Sequence, residues 1–197
     1  MKLRESGMPQ EAYWEALFNV GLIIDRLGID ARLSNVTEMG CGYGTFTIPV
    51  ERRISGTLMA FDIDAAMVER TRERAVAAGV NNVLCLVRDA CAAGFSGLTA
   101  SQDACLLFNI LHCEEPERLL AEAARVVRTE GVVMAIHWRP DPATPRGPNL
   151  EIRPRPEQII GWAQETGWLE AEGPAIDLPP WHYGLRLRRL RGPPFAP

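Results

Sequence analysis

Five short apolar runs, at residues 34–39, 56–61, 83–87, 103–108 and 131–136, alternate with stretches that carry apolar residues at helical spacing. This alternation constrains the chain more than any other feature. Strands interleaved with helices predict an α/β protein built on a doubly wound parallel sheet. The run at 103–108 is apolar almost throughout, as a strand covered on both faces should be. Crossovers in such a sheet are right-handed, and ligands bind beyond the carboxyl ends of its strands. Polar and glycine residues gather at those ends: the loop Glu38-Met39-Gly40-Cys41-Gly42-Tyr43-Gly44, then Asp62, Asp89, Asn109, His112 and His137.

The loop between the first run and the helix expected over 45–53 has glycine at alternate positions, so backbone can come close to a small ligand. Alone it also fits a plain strand-to-helix turn. Asp62 follows Gly40 by 22 residues, at the end of the next strand, where a carboxylate can accept both hydroxyls of a ribose. Asp89 closes the third strand, within reach of an adenine edge. A nucleoside-bearing cofactor follows. Glu38 speaks against a pyrophosphate at this loop, because like charges at that range repel by roughly several kcal/mol at an effective dielectric near 20. A ligand carrying an ammonium and a sulfonium would suit it, and S-adenosylmethionine carries both. The pattern is also GxGxG rather than the GxGxxG of dinucleotide folds.

With 197 residues, one domain spanning 1–197 is expected. A helix over 9–28 opens at Pro9 and stops at Gly28; residues 1–30 read as a helical cover that brings Tyr13 and Trp14 toward the cofactor. The segment 139–156 holds six prolines and four arginines and reads as a substrate-side loop. A helix at 157–166 and strands at 168–171 and 184–190 complete the chain. The net charge of −4 argues against a nucleic-acid partner. The five cysteines show no CxxC spacing, so neither a disulfide framework nor a metal site is expected. Scattered thiols, no apolar leader in the first ten residues and no apolar stretch of about 18 residues predict a cytoplasmic protein without a membrane anchor.

Taken together these segments resemble the class I S-adenosylmethionine-dependent methyltransferases, in their small-molecule form. EMGCGYG is similar to the first motif of that family, FDIDAAM to its acidic second-strand end, VRDA to its third-strand end, and DACLLFNILH to its fourth-strand motif; LLAEAARVVRTEGVVMAIHW resembles its following helix and strand. Thr129-Glu130-Gly131 departs from the Pro-Gly-Gly turn of many relatives. The resemblance implies a Rossmann-like, three-layer αβα fold of seven strands with an antiparallel C-terminal pair. It implies S-adenosyl-L-methionine as cofactor and S-adenosyl-L-homocysteine as product. Glu38, Gly40, Cys41, Gly42 and Gly44 would hold the methionine part, Asp62 the ribose, Ile63 and Met67 the faces of the adenine, and Asp89 and Ala90 its edge. Asn109 would lie beside the methyl-bearing end.

Methyl transfer from a sulfonium is a direct displacement, so the protein supplies alignment, a dry site and, where the nucleophile holds a proton, a base. His112 is the candidate base, with a hydrogen-bonded structural histidine as the competing account. His137 and Trp138 are expected to line the acceptor pocket. Arg139, Arg146, Arg153 and Arg155 could bind an anionic acceptor or simply brace their loop. A macromolecular acceptor such as RNA and an NAD-dependent oxidoreductase remain the alternatives, and a homodimer is left open.

Overall fold

The computed structural model describes residues 9–95, 98–141 and 144–192. The reading of the first residues as free of a leader falls mostly on 1–8, outside the described residues, as do positions 142 and 143 of the proline-rich loop and the side chain of Cys91. In chain order the elements are α1 (Glu11–Glu15), α2 (Val20–Leu27), β1 (Asn35–Met39), α3 (Thr47–Glu51), β2 (Thr57–Asp62), α4 (Ala65–Ala77), β3 (Val83–Val87) and α5 (Ala90–Ala93). They continue with β4 (Gln102–Phe108), α6 (Pro116–Val126), β5 (Val127–Trp138), a 3₁₀ turn (Leu150–Ile152), α7 (Pro156–Glu165), β6 (Leu169–Ala171), β7 (Ile176–Leu178) and β8 (His182–Arg189).

The sheet runs β3-β2-β1-β4-β5-β8-β6, with β7 also paired to β8. The first five strands are parallel, and β8 is antiparallel to β5, β6 and β7. The sheet therefore has eight strands rather than the expected seven. The extra strand, β7, is three residues long and lies between Pro174 and the Pro179-Pro180 pair, too short to show an alternation in sequence. It joins β8 on the same edge as β6, toward the other end.

Alternation along the strands divides the core. Cys105 and Leu107 of β4 and Val133 and Ala135 of β5 pack with α6 and α7 on one face; Ala104, Leu106 and Phe108, and Val132, Met134 and Ile136, pack with α2 and α3 on the other. Helix α6 starts with Pro116 at its first position, where the missing N–H costs nothing, and buries Leu119, Leu120, Ala123 and Ala124. Each leucine so buried is worth about 2 kcal/mol. In α4 the Asp64 carboxylate caps the Ala66 N–H. Val76 is 81% exposed, whereas Val68, Thr71 and Ala75 are buried, and the Thr71 hydroxyl donates to the Gly42 carbonyl.

The helix expected over 9–28 is two helices. Asn19 breaks it: its side chain accepts from the Leu22 N–H at 3.2 Å and caps α2, which ends at Gly28 with φ of 70°. The Thr129-Glu130-Gly131 turn is absorbed into β5 as an irregular bulge, since Gln102 and Ala104 of β4 face Val127 and Val132, and Glu130 has a φ of 63°.

Candidate active site

β1 is the central strand of the parallel half, flanked by β2 and β4, so the glycine loop emerges at the middle of the sheet's carboxyl edge. The loop is tied down on several sides. Gly40 and Cys41 both donate their N–H to the Phe61 carbonyl, at 2.7 and 3.0 Å. Gly40 has a φ of 78°, and a Cβ there would lie 2.9 Å from Ile110 Cγ2, so glycine is required twice over. Beside the loop opens a cavity of 360 Å³.

The β2 and β3 side of that cavity is charged and well ordered. Asp62 Oδ2 accepts the Gly42 N–H at 2.9 Å and Oδ1 accepts the Asp64 N–H at 3.0 Å. Two amides thus aim the carboxylate, while burial pushes its pKa up. Asp89 Oδ1 accepts the Ala92 N–H at 3.0 Å, which ties it to the first turn of α5. Asp64, Arg88, Ala90, Ile63 and Met67 line the same part.

The β4 side differs. Trp14, Thr45, Phe46, Phe108, Asn109 and His112 line it, and none carries a charge at neutral pH. Phe46 meets Phe108 edge-on at 5.0 Å and Phe18 at 5.2 Å, and Phe18 meets Trp14 at 4.8 Å, which makes a continuous aromatic wall. Against it stand polar atoms that are buried and unpaired: Thr45 Oγ1, both side-chain atoms of Asn109, and His112 Nε2. Native proteins rarely leave such atoms orphaned, and here three residues that line one cavity carry four of them. Asn109 also has a φ of 58°, a left-handed conformation that strains a non-glycine residue at a functional position.

Glu38 and Gly44 sit behind the loop and do not line the cavity. Glu38 is fully buried, accepts from Thr47 Oγ1 at 2.5 Å, and has its pKa raised to about 8 by burial, with the nearby Asp62 adding to the rise. It is therefore mostly protonated at neutral pH, and the repulsion expected of a fixed negative charge does not hold. Cys41 lines the cavity, and its thiol is pushed up by burial. Cys41, Cys85, Cys105 and Cys113 are buried and in no disulfide.

The expectation that His137 and Trp138 both line the pocket is corrected. They are neighbours on β5, so their side chains point to opposite faces of the sheet. Trp138 is 2% exposed and packs against Phe18 and His182 with the α2 layer, while His137 is wholly buried on the other face. His137 Nε2 lies 3.3 Å from His112 Nδ1, and its Nδ1 lies 3.4 Å from the Trp138 carbonyl. Burial pushes His112 down to about 4 and His137 well below its ordinary value.

The loop over 139–156 is braced from within. Arg153 is buried; its guanidinium donates to the carbonyls of Pro148, Arg139 and Arg146 and to the Thr144 hydroxyl, and it stacks over Trp138. Arg139 pairs with Asp177. Both are consumed by structure, which leaves the anion-binding reading without these two cations. Among the described residues no cluster of three or more His, Cys, Asp or Glu is placed to hold a metal ion.

Of the residues singled out in the sequence, Trp14, Gly40, Cys41, Gly42, Asp62, Ile63, Met67, Asp89, Ala90, Asn109 and His112 line one cavity, and Tyr13 does not. Thr45, Phe46 and Phe108 also line the cavity and were missed. Thr45 directly follows the last glycine of the loop, which was a usable signal. Phe46 and Phe108 look like ordinary core residues in sequence.

Residues 36–131 match the family described as methyltransferase domain. No curated protein matches the chain in sequence. Among solved structures, a SAM dependent methyltransferase from Aquifex aeolicus is 18% identical with a TM-score of 0.80, covering 92% of this chain and 94% of that one. The N-methyltransferase NodS from Bradyrhizobium japonicum WM9, in complex with S-adenosyl-l-homocysteine, is 15% identical with a TM-score of 0.67 over 92% and 88% of the two chains. A geranyl diphosphate methyltransferase in complex with SAM is 15% identical with a TM-score of 0.68 over 93% of each chain. At these identities the structures attest the fold, whereas the family match spans the glycine loop, both strand-end acids and the β4 turn that frame the cavity. Residues 36–131, just under half of the chain, thus match a methyltransferase domain, and the fold is the one seen in a SAM dependent methyltransferase.

Proposed function

We propose that this methyltransferase acts on a small-molecule acceptor and that His112 receives the acceptor's proton. The observation that carries this reading is the division of one cavity into a charged side of amide-ordered carboxylates and a neutral, aromatic side with four unpaired polar atoms. The residues present fit S-adenosylmethionine. Asp62 would hold the ribose, Ile63 and Met67 the adenine faces, and Asp89 with Ala90 its edge. Gly40, Cys41 and Gly42, backed by Gly44 and Glu38, would hold the methionine part, with Asn109 beside its methyl-bearing end. When bound, the cofactor supplies a methyl group on a cationic sulfur.

The chain's own residues do the rest. Asn109 and Thr45 present buried polar atoms that orient what enters, the aromatic wall excludes water, and His112 Nε2 offers a lone pair at the β4 edge. His112 is neutral at pH 7, as a proton acceptor must be. A small acceptor is supported by the cavity's size, by Trp14 at its rim, and by the lack of any cation among the lining residues on the β4 side. RNA would call for a basic approach, and the chain's net charge is −4. A cytoplasmic location fits the buried thiols that form no disulfide, and no described helix is long and apolar enough to cross a membrane. The test is S-adenosylhomocysteine release across a panel of small acceptors and a transfer RNA pool. Turnover with small acceptors alone is expected; turnover confined to RNA would overturn the reading.

A further inference from the structure

His137 lies outside the cavity, yet it touches the one titratable side chain on the cavity's neutral side. The chain of contacts behind His112 has a fixed polarity. The Trp138 carbonyl oxygen can only accept, so His137 Nδ1, at 3.4 Å, carries a proton. A neutral imidazole has one donor and one acceptor, so His137 Nε2 is bare. It faces His112 Nδ1 at 3.3 Å, which must then carry the proton. His112 Nε2 is left as a bare lone pair, buried and with no partner among the described residues, on a residue that lines the cavity. Both rings stay neutral: they are buried, and the groups whose charges bear on His137 are His112, His182 and Arg153, with no carboxylate among them.

We propose that His137 is a positioning residue which locks His112 in the Nδ1–H tautomer, so that the site selects a methyl acceptor that donates a hydrogen bond, an uncharged hydroxyl on a flat apolar body such as a phenol. An oxygen anion or a carboxylate has nothing to give to Nε2. An ammonium would bring a charge into a neutral pocket walled by Trp14, Phe46 and Phe108. A hydroxyl placed against Nε2 satisfies both partners, and its flat body stacks on the rings. As the O–C bond forms and the S–C bond breaks, with its electron pair going to sulfur, the hydroxyl proton passes to Nε2. The His112 imidazolium so formed still donates from Nδ1 to the bare Nε2 of His137. This assignment rests on the methyl-transfer reading for its substrate, but the tautomer itself does not.

The chain has three histidines, which makes imidazole nitrogen NMR direct to interpret. In the empty protein, His112 and His137 are both expected as Nδ1–H tautomers; a predominant Nε2–H form of His112 would overturn the proposal. His137→Phe should release that preference and lower turnover of a phenol by about 10- to 100-fold, the usual loss when a histidine's orienting partner is removed. Affinity for S-adenosylhomocysteine should not change. In His137→Gln the amide oxygen can accept from His112 Nδ1–H, so tautomer and turnover should largely return; equal loss in both variants would reduce His137 to packing. Of a matched phenol and benzoate, the phenol should be methylated, and preference for the benzoate would sink the substrate assignment. If no acceptor releases S-adenosylhomocysteine while the tautomers read as stated, the methyl-transfer reading fails and the positioning role stands.

Discussion

The two sides of the cavity are built on different terms. On the β2 and β3 side, each oxygen of Asp62 already accepts a backbone amide, and Asp89 accepts another, so the charged groups are aimed before anything binds. On the β4 side, Thr45, Asn109 and His112 hold buried polar atoms that no described residue satisfies. Ordered carboxylates suit a ligand that every turnover shares. Orphaned atoms against an aromatic wall suit a partner whose shape and hydrogen bonds complete the site, because an unpaired polar atom penalises any occupant that cannot pair it.

The largest expected effect breaks the two sides apart. His112→Ala should lower turnover by about 10²–10⁴-fold, the range for losing a general base, while calorimetry shows S-adenosylhomocysteine binding unchanged. Full activity would make His112 a structural residue. Asp62→Ala should do the reverse, weakening cofactor binding by about 1–3 kcal/mol through loss of a charged acceptor. An unchanged dissociation constant would remove Asp62 from the site.

Glu38 sharpens the comparison through pH. Its folded pKa of about 8 lies above the ordinary 4.5, so between those values the folded protein holds a proton that the unfolded chain has lost. Stability therefore falls as pH rises through that window. The buried histidines act oppositely and at lower pH: with His112 near 4 and His182 near 3 against an unfolded value of 6.5, stability falls as acid is added below 6.5. Urea unfolding between pH 6.5 and 8 isolates Glu38, with an expected loss on the order of 1–2 kcal/mol that Glu38→Gln abolishes. A flat wild-type profile over that interval would contradict the raised pKa. At neutral pH, binding of the ammonium-bearing S-adenosylhomocysteine should also release protons, read as a binding heat that depends on the buffer and vanishes in the same variant.

The smallest effect tests the unpaired atoms themselves. Thr45→Val removes a buried hydroxyl that has no partner, so the melting temperature should hold or rise, by up to about 1 kcal/mol of stability, while acceptor turnover falls. A clear destabilisation would mean that the hydroxyl is satisfied within the protein.

Legibility in the sequence followed distance along the chain. The parallel strands were readable because apolar runs and their helical partners are local patterns, and Asp62 and Asp89 were readable because each closes its own strand. Asn19 was less visible, since a capping residue inside a long apolar periodicity reads as one more polar position until the backbone turns. β7 was hidden by its length: three residues show no alternation, and pairing with β8 is what makes them a strand.

By itself, the sequence determined the parallel half of the sheet, the glycine loop and the acids at the ends of β2 and β3, because hydrophobic periodicity and strand-end chemistry depend on residues close together in the chain. Tertiary structure alone decided which residues share the β4 side of the cavity. His112 and His137 are 25 positions apart and meet only because β4 and β5 are neighbours. Trp14, Phe46 and Phe108 come from three separate segments, and burial rather than residue type set the charge states of Glu38 and His112.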